Sequence, residues 1–245
     1  MNAEPEIHKL PIGMEQVAIL GGTFDPVHIG HLIVAQTALS QLGLDRVIWV
    51  PARHPPHKQS LAYEHRRSMV EKAIAGNSAF ALSPLEIEPA KPDYALATLA
   101  YLQTVYPNQQ WHWIIGLDSF QTLPLWYCRE RLIPSCQWLV APRFVPVADT
   151  TTFSVSDRSD SRYSQQSISS DIWLCQKVVS QLTAQSILIR WQLLQMPTIG
   201  ISSSLIRQYC RQNRSIRYLV PDDVRAYITA HHLYTDGITE SQDRA

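Results

Sequence analysis

The 245-residue chain predicts an α/β fold, a Rossmann-like parallel sheet with helices on both faces. Three observations predict it. Short apolar runs alternate with segments of helical period, the pattern of parallel strands joined by crossover helices. The first run, Val17-Ala18-Ile19-Leu20, ends on Gly21-Gly22, where missing side chains let backbone N–H groups approach an anion. Polar strings recur just after later runs, at the strand ends where right-handed crossovers place ligands.

In chain order, strands are expected at 16–21, 46–50, 79–87, 111–115 and 137–141, with a late one near 186–190. Helices are expected at 30–42, 63–75, 94–105, 202–213 and 221–230. One domain is expected over 14–235, with flexible tails at 1–13 and 236–245 and a serine-rich insertion at 149–170 that lacks fixed structure. Within it, Ser154 to Ser170 holds eight serines and almost nothing to bury, so it is expected as mobile surface. The stretch after it, Asp171 to Gln195, has helical spacing in Ile172, Leu174, Val178, Val179 and Leu182.

Composition narrows the partners. Lys plus Arg and Asp plus Glu both total 21, so no net basic charge argues for general nucleic-acid binding, and a local anionic ligand is expected instead. No run of 18 apolar residues would cross a membrane, and the N-terminus is charged and proline-bearing, so a cytoplasmic protein is expected. Cys128, Cys136, Cys175 and Cys210 form no CxxC pair, which fits reduced thiols better than disulfides or zinc. Composition leaves a homo-oligomer open.

Four strings carry chemistry. Gly21 to Leu32 reads GGTFDPVHIGHL, which places His28 and His31 at the first turn of a helix, where both rings and the helix dipole favour one anion. Two histidines alone make half a zinc site, so no protein-held metal is expected. Gly200 to Arg207 reads GISSSLIR, with hydroxyls ahead of a helix and Arg207 able to reach a phosphate with two donors. Residues 111–127 deliver Gly116 and Asp118 to a strand end, followed by Trp126 and Tyr127, whose faces could stack on a heterocycle or pack in the core. The stiff basic loop Pro51-Ala52-Arg53-His54-Pro55-Pro56-His57-Lys58 makes Lys58 a candidate phosphate clamp.

Taken together, these strings resemble the bacterial nicotinate-nucleotide adenylyltransferases, members of the HxGH (HIGH-type) nucleotidyltransferase superfamily. The likeness covers most of 16–145 and 198–234, including YLVPDDVRAYI at 218–228. It implies a nucleotidyltransferase-type fold and the reaction of ATP with nicotinate mononucleotide to give deamido-NAD and pyrophosphate, with Mg2+. It further implies ATP contacts at Gly21, Gly22, Thr23, Phe24, Gly116, Asp118, Ser202 and Ser203, with catalysis by His28, His31 and Arg207 at the phosphates. On the mononucleotide side it implies Lys58 at the phosphate and Trp126 and Tyr127 beside the pyridine ring, with Ala95 and Arg143 nearby. Ser204 stands where the family has threonine, which keeps the hydroxyl.

The sequence departs from that pattern at Tyr94-Ala95, where Ala95 replaces a threonine near the pyridine carboxylate. A nicotinamide-accepting or dual-specificity enzyme is therefore an alternative. A non-catalytic nucleotide sensor is another. HIGH at 28–31 is shared with class I aminoacyl-tRNA synthetases, but no KMSKS-like loop accompanies it.

Overall fold

In a computed structural model, residues 15–53, 55, 60–84, 95–142, 161–197 and 199–235 are described, with 161–169 as backbone alone. Six strands form one sheet: β1 (Gln16–Gly22), β2 (Arg46–Pro51), β3 (Phe80–Leu82), β4 (Gln110–Gly116), β5 (Gln137–Ala141) and β6 (Arg190–Leu193). Their order is β3-β2-β1-β4-β5-β6 and every pairing is parallel, as the alternation of runs predicts. The order reverses between β1 and β4. That is the topological switch point, where the flanking crossovers leave in opposite directions and open a crevice beyond the strand ends.

Side-chain alternation along the strands feeds two cores. Ala18 and Leu20 of β1 and Val47 and Trp49 of β2 face one side. There they meet Ala35 and Ala38 of α1 (Ile29–Leu42), Met69 and Val70 of α2 (Tyr63–Ile74), and Ile206 and Val224 from two late helices. Val17 and Ile19 of β1 and Trp111, Trp113 and Ile115 of β4 face the other. They pack on Leu99 and Leu102 of α3 (Ala95–Val105), on α4 (Leu117–Phe120) and α5 (Arg129–Leu132), and on Cys175, Val178 and Leu182 of α6 (Ser161–Ala184). The remaining helices are α7 (Ser203–Arg211) and α8 (Asp222–Ala230). Period-2 strands buried on both faces explain the near-continuous apolar runs of the sequence.

Three expectations shift. Residues 161–170, expected within the structureless insertion, form the opening turns of α6, while 149–160 lie outside the described residues. The helix is anchored by a buried stripe at 171, 175, 178 and 182, which recurs at three- and four-residue spacing and includes a charged residue, Asp171. Ile172 and Trp173 point outward at 37% and 60% exposure, so the apolar face lies beside the one the spacing suggested. The late strand falls at 190–193 instead of 186–190, because Ser186 takes a left-handed turn after α6 and pairing with β5 begins only at Arg190. The third strand covers only 80–82 of the expected 79–87; Ser83 and Pro84 lie beyond it, and 85–87 are outside the described residues.

Candidate active site

Gly22 of β1 stands level with Pro51 of β2, and Gly116 of β4 with Ala141 of β5, so four strand ends form one floor. On it lies an apolar cavity of about 570 Å³, bordered by Gly21, Gly22, Gly116, Ala95, Trp126 and Tyr127. Trp126 is fixed rather than loose: its indole N–H donates to Thr122 Oγ1 at 2.9 Å, and its ring meets Trp138 edge-on at 5.9 Å. Tyr127 is 61% exposed at the rim.

A second cavity of about 650 Å³ is polar, with Thr23, Asp25, Asp118, Ser202, Ser203 and Arg207 on its walls. His31 lines both cavities and so forms their shared wall. Its Nδ1 accepts the His28 backbone N–H at 3.2 Å. That bond caps α1 and leaves Nε2 as the nitrogen that carries the proton of the neutral ring. Burial, then the neighbouring His28, pushes the His31 pKa well below its usual value.

His28 stacks on His31 with ring centres 3.7 Å apart and is only 7% exposed. Burial lowers its pKa from 6.5 to about 4, and its Nδ1 has no hydrogen-bond partner among the described residues. Gly30 makes this stack feasible. A Cβ there would sit 3.0 Å from the His28 ring, tight enough that the ring would have to shift. At Gly22 a Cβ would come within 2.9 Å of the Phe24 ring. The ring of Phe24, a residue expected in the nucleotide cradle, is part of the core: the residue is 2% exposed and its ring packs edge-on against His31 at 5.1 Å. Its contribution is to support the ring that lines the cavities.

An early loop and a late helix are stitched together over the polar cavity. Ser202 caps α7 by accepting the Leu205 N–H at 3.2 Å. Ser203 Oγ donates to the Pro26 carbonyl at 2.9 Å, and Arg207 Nη1 donates to the Asp25 carbonyl at 2.7 Å. Arg207 Nη2 donates to Ser204 Oγ at 3.2 Å, so the serine hydroxyl at that position orients the guanidinium. The YLVP segment has a defined role as well. The Leu219 carbonyl accepts the Ile29 N–H at 3.0 Å and satisfies one of the open donors of α1, which is thereby withdrawn from any ligand.

Three contributors have roles that the sequence does not reveal. Arg66 of α2 is 1% exposed, and its guanidinium donates to the carbonyls of Leu61, Thr23 and Arg53, tying the strand-end loops together. Asp25 and Ser204 sit inside the quoted strings, where only the tertiary fold reveals which atoms they hold. Lys58 and Arg143 lie outside the described residues. Among the described residues, no three His, Cys, Asp or Glu side chains are grouped to hold a metal.

A family model described as cytidylyltransferase-like matches residues 19–209. The chain is 45% identical over 223 residues to a Nostoc sp. (strain PCC 7120) protein named probable nicotinate-nucleotide adenylyltransferase, covering 91% of this chain and 99% of that protein. A Synechococcus sp. (strain JA-3-3Ab) protein of the same name is 41% identical, with 90% and 95% covered. Among solved structures, the Plasmodium falciparum nicotinic acid mononucleotide adenylyltransferase complexed with NaAD superposes with a TM-score of 0.65 at 17% identity, over 90% of this chain and 97% of that one, a likeness of fold. By sequence over nearly its whole matched length, this chain belongs to the nicotinate-nucleotide adenylyltransferase family of nucleotidyltransferases.

Proposed function

We propose that the chain transfers the adenylyl group of ATP to nicotinate mononucleotide, giving deamido-NAD and pyrophosphate for NAD biosynthesis. The observation that carries this reading is the pair of cavities that meet at His31, one apolar and aromatic, the other polar, with serine hydroxyls and the Arg207 guanidinium on its walls. A pyridine ring suits the first, stacked on Trp126, and a triphosphate suits the second.

The attacking group is a phosphate monoester with a second pKa of about 6, so it is already dianionic at neutral pH and needs no general base. Aligning two polyanions for in-line attack at the α-phosphorus is the harder part. In this reading the His31 Nε2–H and the remaining Arg207 N–H groups donate to the triphosphate, and His28 donates alongside once an anion offsets the burial that keeps it neutral. Gly21, Gly22, Thr23 and the main chain of Phe24 let the nucleotide lie close over the strand ends, Gly116 and Asp118 face its ribose, and the Ser202 hydroxyl and Ser203 backbone N–H add donors. Lys58 and Arg143 are assigned to the mononucleotide by family position alone. Mg2+ is the cation implied with ATP, and the oxygen-rich wall of the polar cavity, with the Asp118 carboxylate and serine hydroxyls, would suit such a hard cation. It would supply charge neutralisation.

Ala95 is the first described residue of α3 and borders the apolar cavity; in this reading backbone N–H groups beside it serve in place of the missing threonine hydroxyl. Such donors favour a carboxylate, whereas a carboxamide turns its own N–H groups toward them. No helix of the described residues is long and apolar enough to cross a membrane. All four cysteines are free, as suits a reducing cytoplasmic setting, and burial pushes the Cys136 and Cys175 thiols up to about 12, which makes them packing groups and not nucleophiles.

The test offers nicotinate and nicotinamide mononucleotides side by side with ATP and follows pyrophosphate and dinucleotide. Nicotinate mononucleotide should have at least about a tenfold higher kcat/KM, the consequence of one or two unpaired buried polar groups in the competitor. Equal efficiencies would mean a dual-specificity pocket, a reversed preference a nicotinamide enzyme, and binding without pyrophosphate release a sensor.

A further inference from the structure

Asp25 is held at both of its polar ends by the C-terminal third of the chain. Its carbonyl accepts from Arg207 Nη1 at 2.7 Å, and its carboxylate Oδ1 accepts the hydroxyl of Tyr234 at 2.7 Å. Asp25 is 5% exposed and lines the polar cavity beside Arg207. Arg207 already bonds this residue's main chain, and a guanidinium binds a carboxylate more strongly than a backbone carbonyl, as a charged pair with two parallel bonds. In this structure Arg207 takes the carbonyl and Tyr234 takes the carboxylate.

Tyr234 is placed to do so at some cost. Its backbone lies at φ 63, in the left-handed region that bulky side chains avoid. The preceding Leu233 is buried and donates its N–H to the Ile228 carbonyl, which anchors this turn to the end of α8. Burial and the Asp25 acceptor both raise the phenol pKa, so the hydroxyl stays protonated and donates throughout the working range.

We infer that Tyr234 is a positioning residue for the polar cavity: it engages the Asp25 carboxylate and so keeps that charge from capturing Arg207, whose remaining donors stay directed at the anionic ligand. This rests on the reading of the polar cavity as the triphosphate site. Without the tyrosine hydroxyl the carboxylate turns to Arg207, and ATP must then compete with an internal anion for the same guanidinium.

The full-length protein carrying Tyr234→Phe tests it, with ATP affinity measured by titration calorimetry and KM values for both substrates measured by pyrophosphate release. The expected result is an ATP Kd and KM raised about tenfold, the scale of one charge-assisted bond, with the mononucleotide KM unchanged. Adding Asp25→Asn to Tyr234→Phe removes the competing charge and should bring ATP affinity back to within about threefold of the wild type. Recovery in the double variant is what a merely structural contact would not produce. The inference is overturned if Tyr234→Phe leaves ATP affinity unchanged, if both substrates weaken equally, if the double variant is no better than the single, or if neither variant folds. A wild-type protein that binds ATP but releases no pyrophosphate would strike down the proposed reaction while the calorimetric comparison still decides the role of Tyr234.

Discussion

The apolar cavity is built by the sheet and the polar cavity by a meeting of distant segments. Strand ends at Gly21, Gly22, Gly116 and Ala141 lay the floor of the first, and their register is fixed by main-chain pairing that any central strand would have. The second exists only because α7 hydrogen-bonds to the loop at Asp25 and Pro26, about 180 residues earlier, through Arg207 and Ser203. Shape and stacking in the first half are therefore robust. Charge placement in the second half depends on a few long-range side-chain bonds, so it should be far more sensitive to single substitutions.

The most direct way to break this comparison is at the wall the halves share. His31→Ala should lower kcat by about 10²–10³-fold at saturating ATP, the usual loss for one transition-state donor. It should also cost roughly 1 kcal/mol of stability, because the His28 N–H loses the acceptor that caps α1. Near wild-type turnover would remove His31 from the chemistry.

Acid should separate the halves next. His28 has a pKa of about 4 in the folded protein against 6.5 unfolded. The unfolded chain therefore binds the extra proton between those values, and stability is full above pH 6.5 and lost as pH falls toward 4. The loss from this one ring is on the order of 3 kcal/mol at pH 4. Urea unfolding of His28→Gln at about pH 7 and about pH 4 should show the difference narrowed by that order, while Trp126→Ala keeps the wild-type acid sensitivity. An unchanged difference in His28→Gln would mean the ring is not buried neutral.

The smallest effect belongs to the apolar half. Trp126→Ala should raise the mononucleotide KM about tenfold, as expected for one lost base–aromatic stack, with the ATP KM within about twofold. Equal rises in both would erase the division between the cavities.

Periodicity carried most of the fold. β1, β2, β4 and β5 and helices α1, α2 and α8 lie within one or two residues of their expected bounds, because strands buried on both faces and amphipathic helices leave strong patterns. α6 was harder to read. Its first turns are serine-rich, and its buried stripe includes Asp171, a residue type that an apolar count passes over. The edge strand β6 alternates exposed and half-buried positions, so its register depends on β5 and not on its own composition.

For the site, the sequence alone determined which groups are present at the strand ends. Glycines where a chain must approach closely, a histidine pair at a helix start and serines ahead of an arginine are local requirements that local residues meet. Tertiary structure decided their division of labour. It packed the Phe24 ring in the core against His31, gave the Ile29 N–H to Leu219, and brought Arg66, Asp25 and Tyr234 into bonds that no local pattern announces. The physical reason is that a hydrogen bond between residues separated by 43 or 209 positions is decided by packing of the whole sheet and its helices. Donor and acceptor types can be read from a sequence, but the partner of each is chosen only when burial forces every polar group to find one.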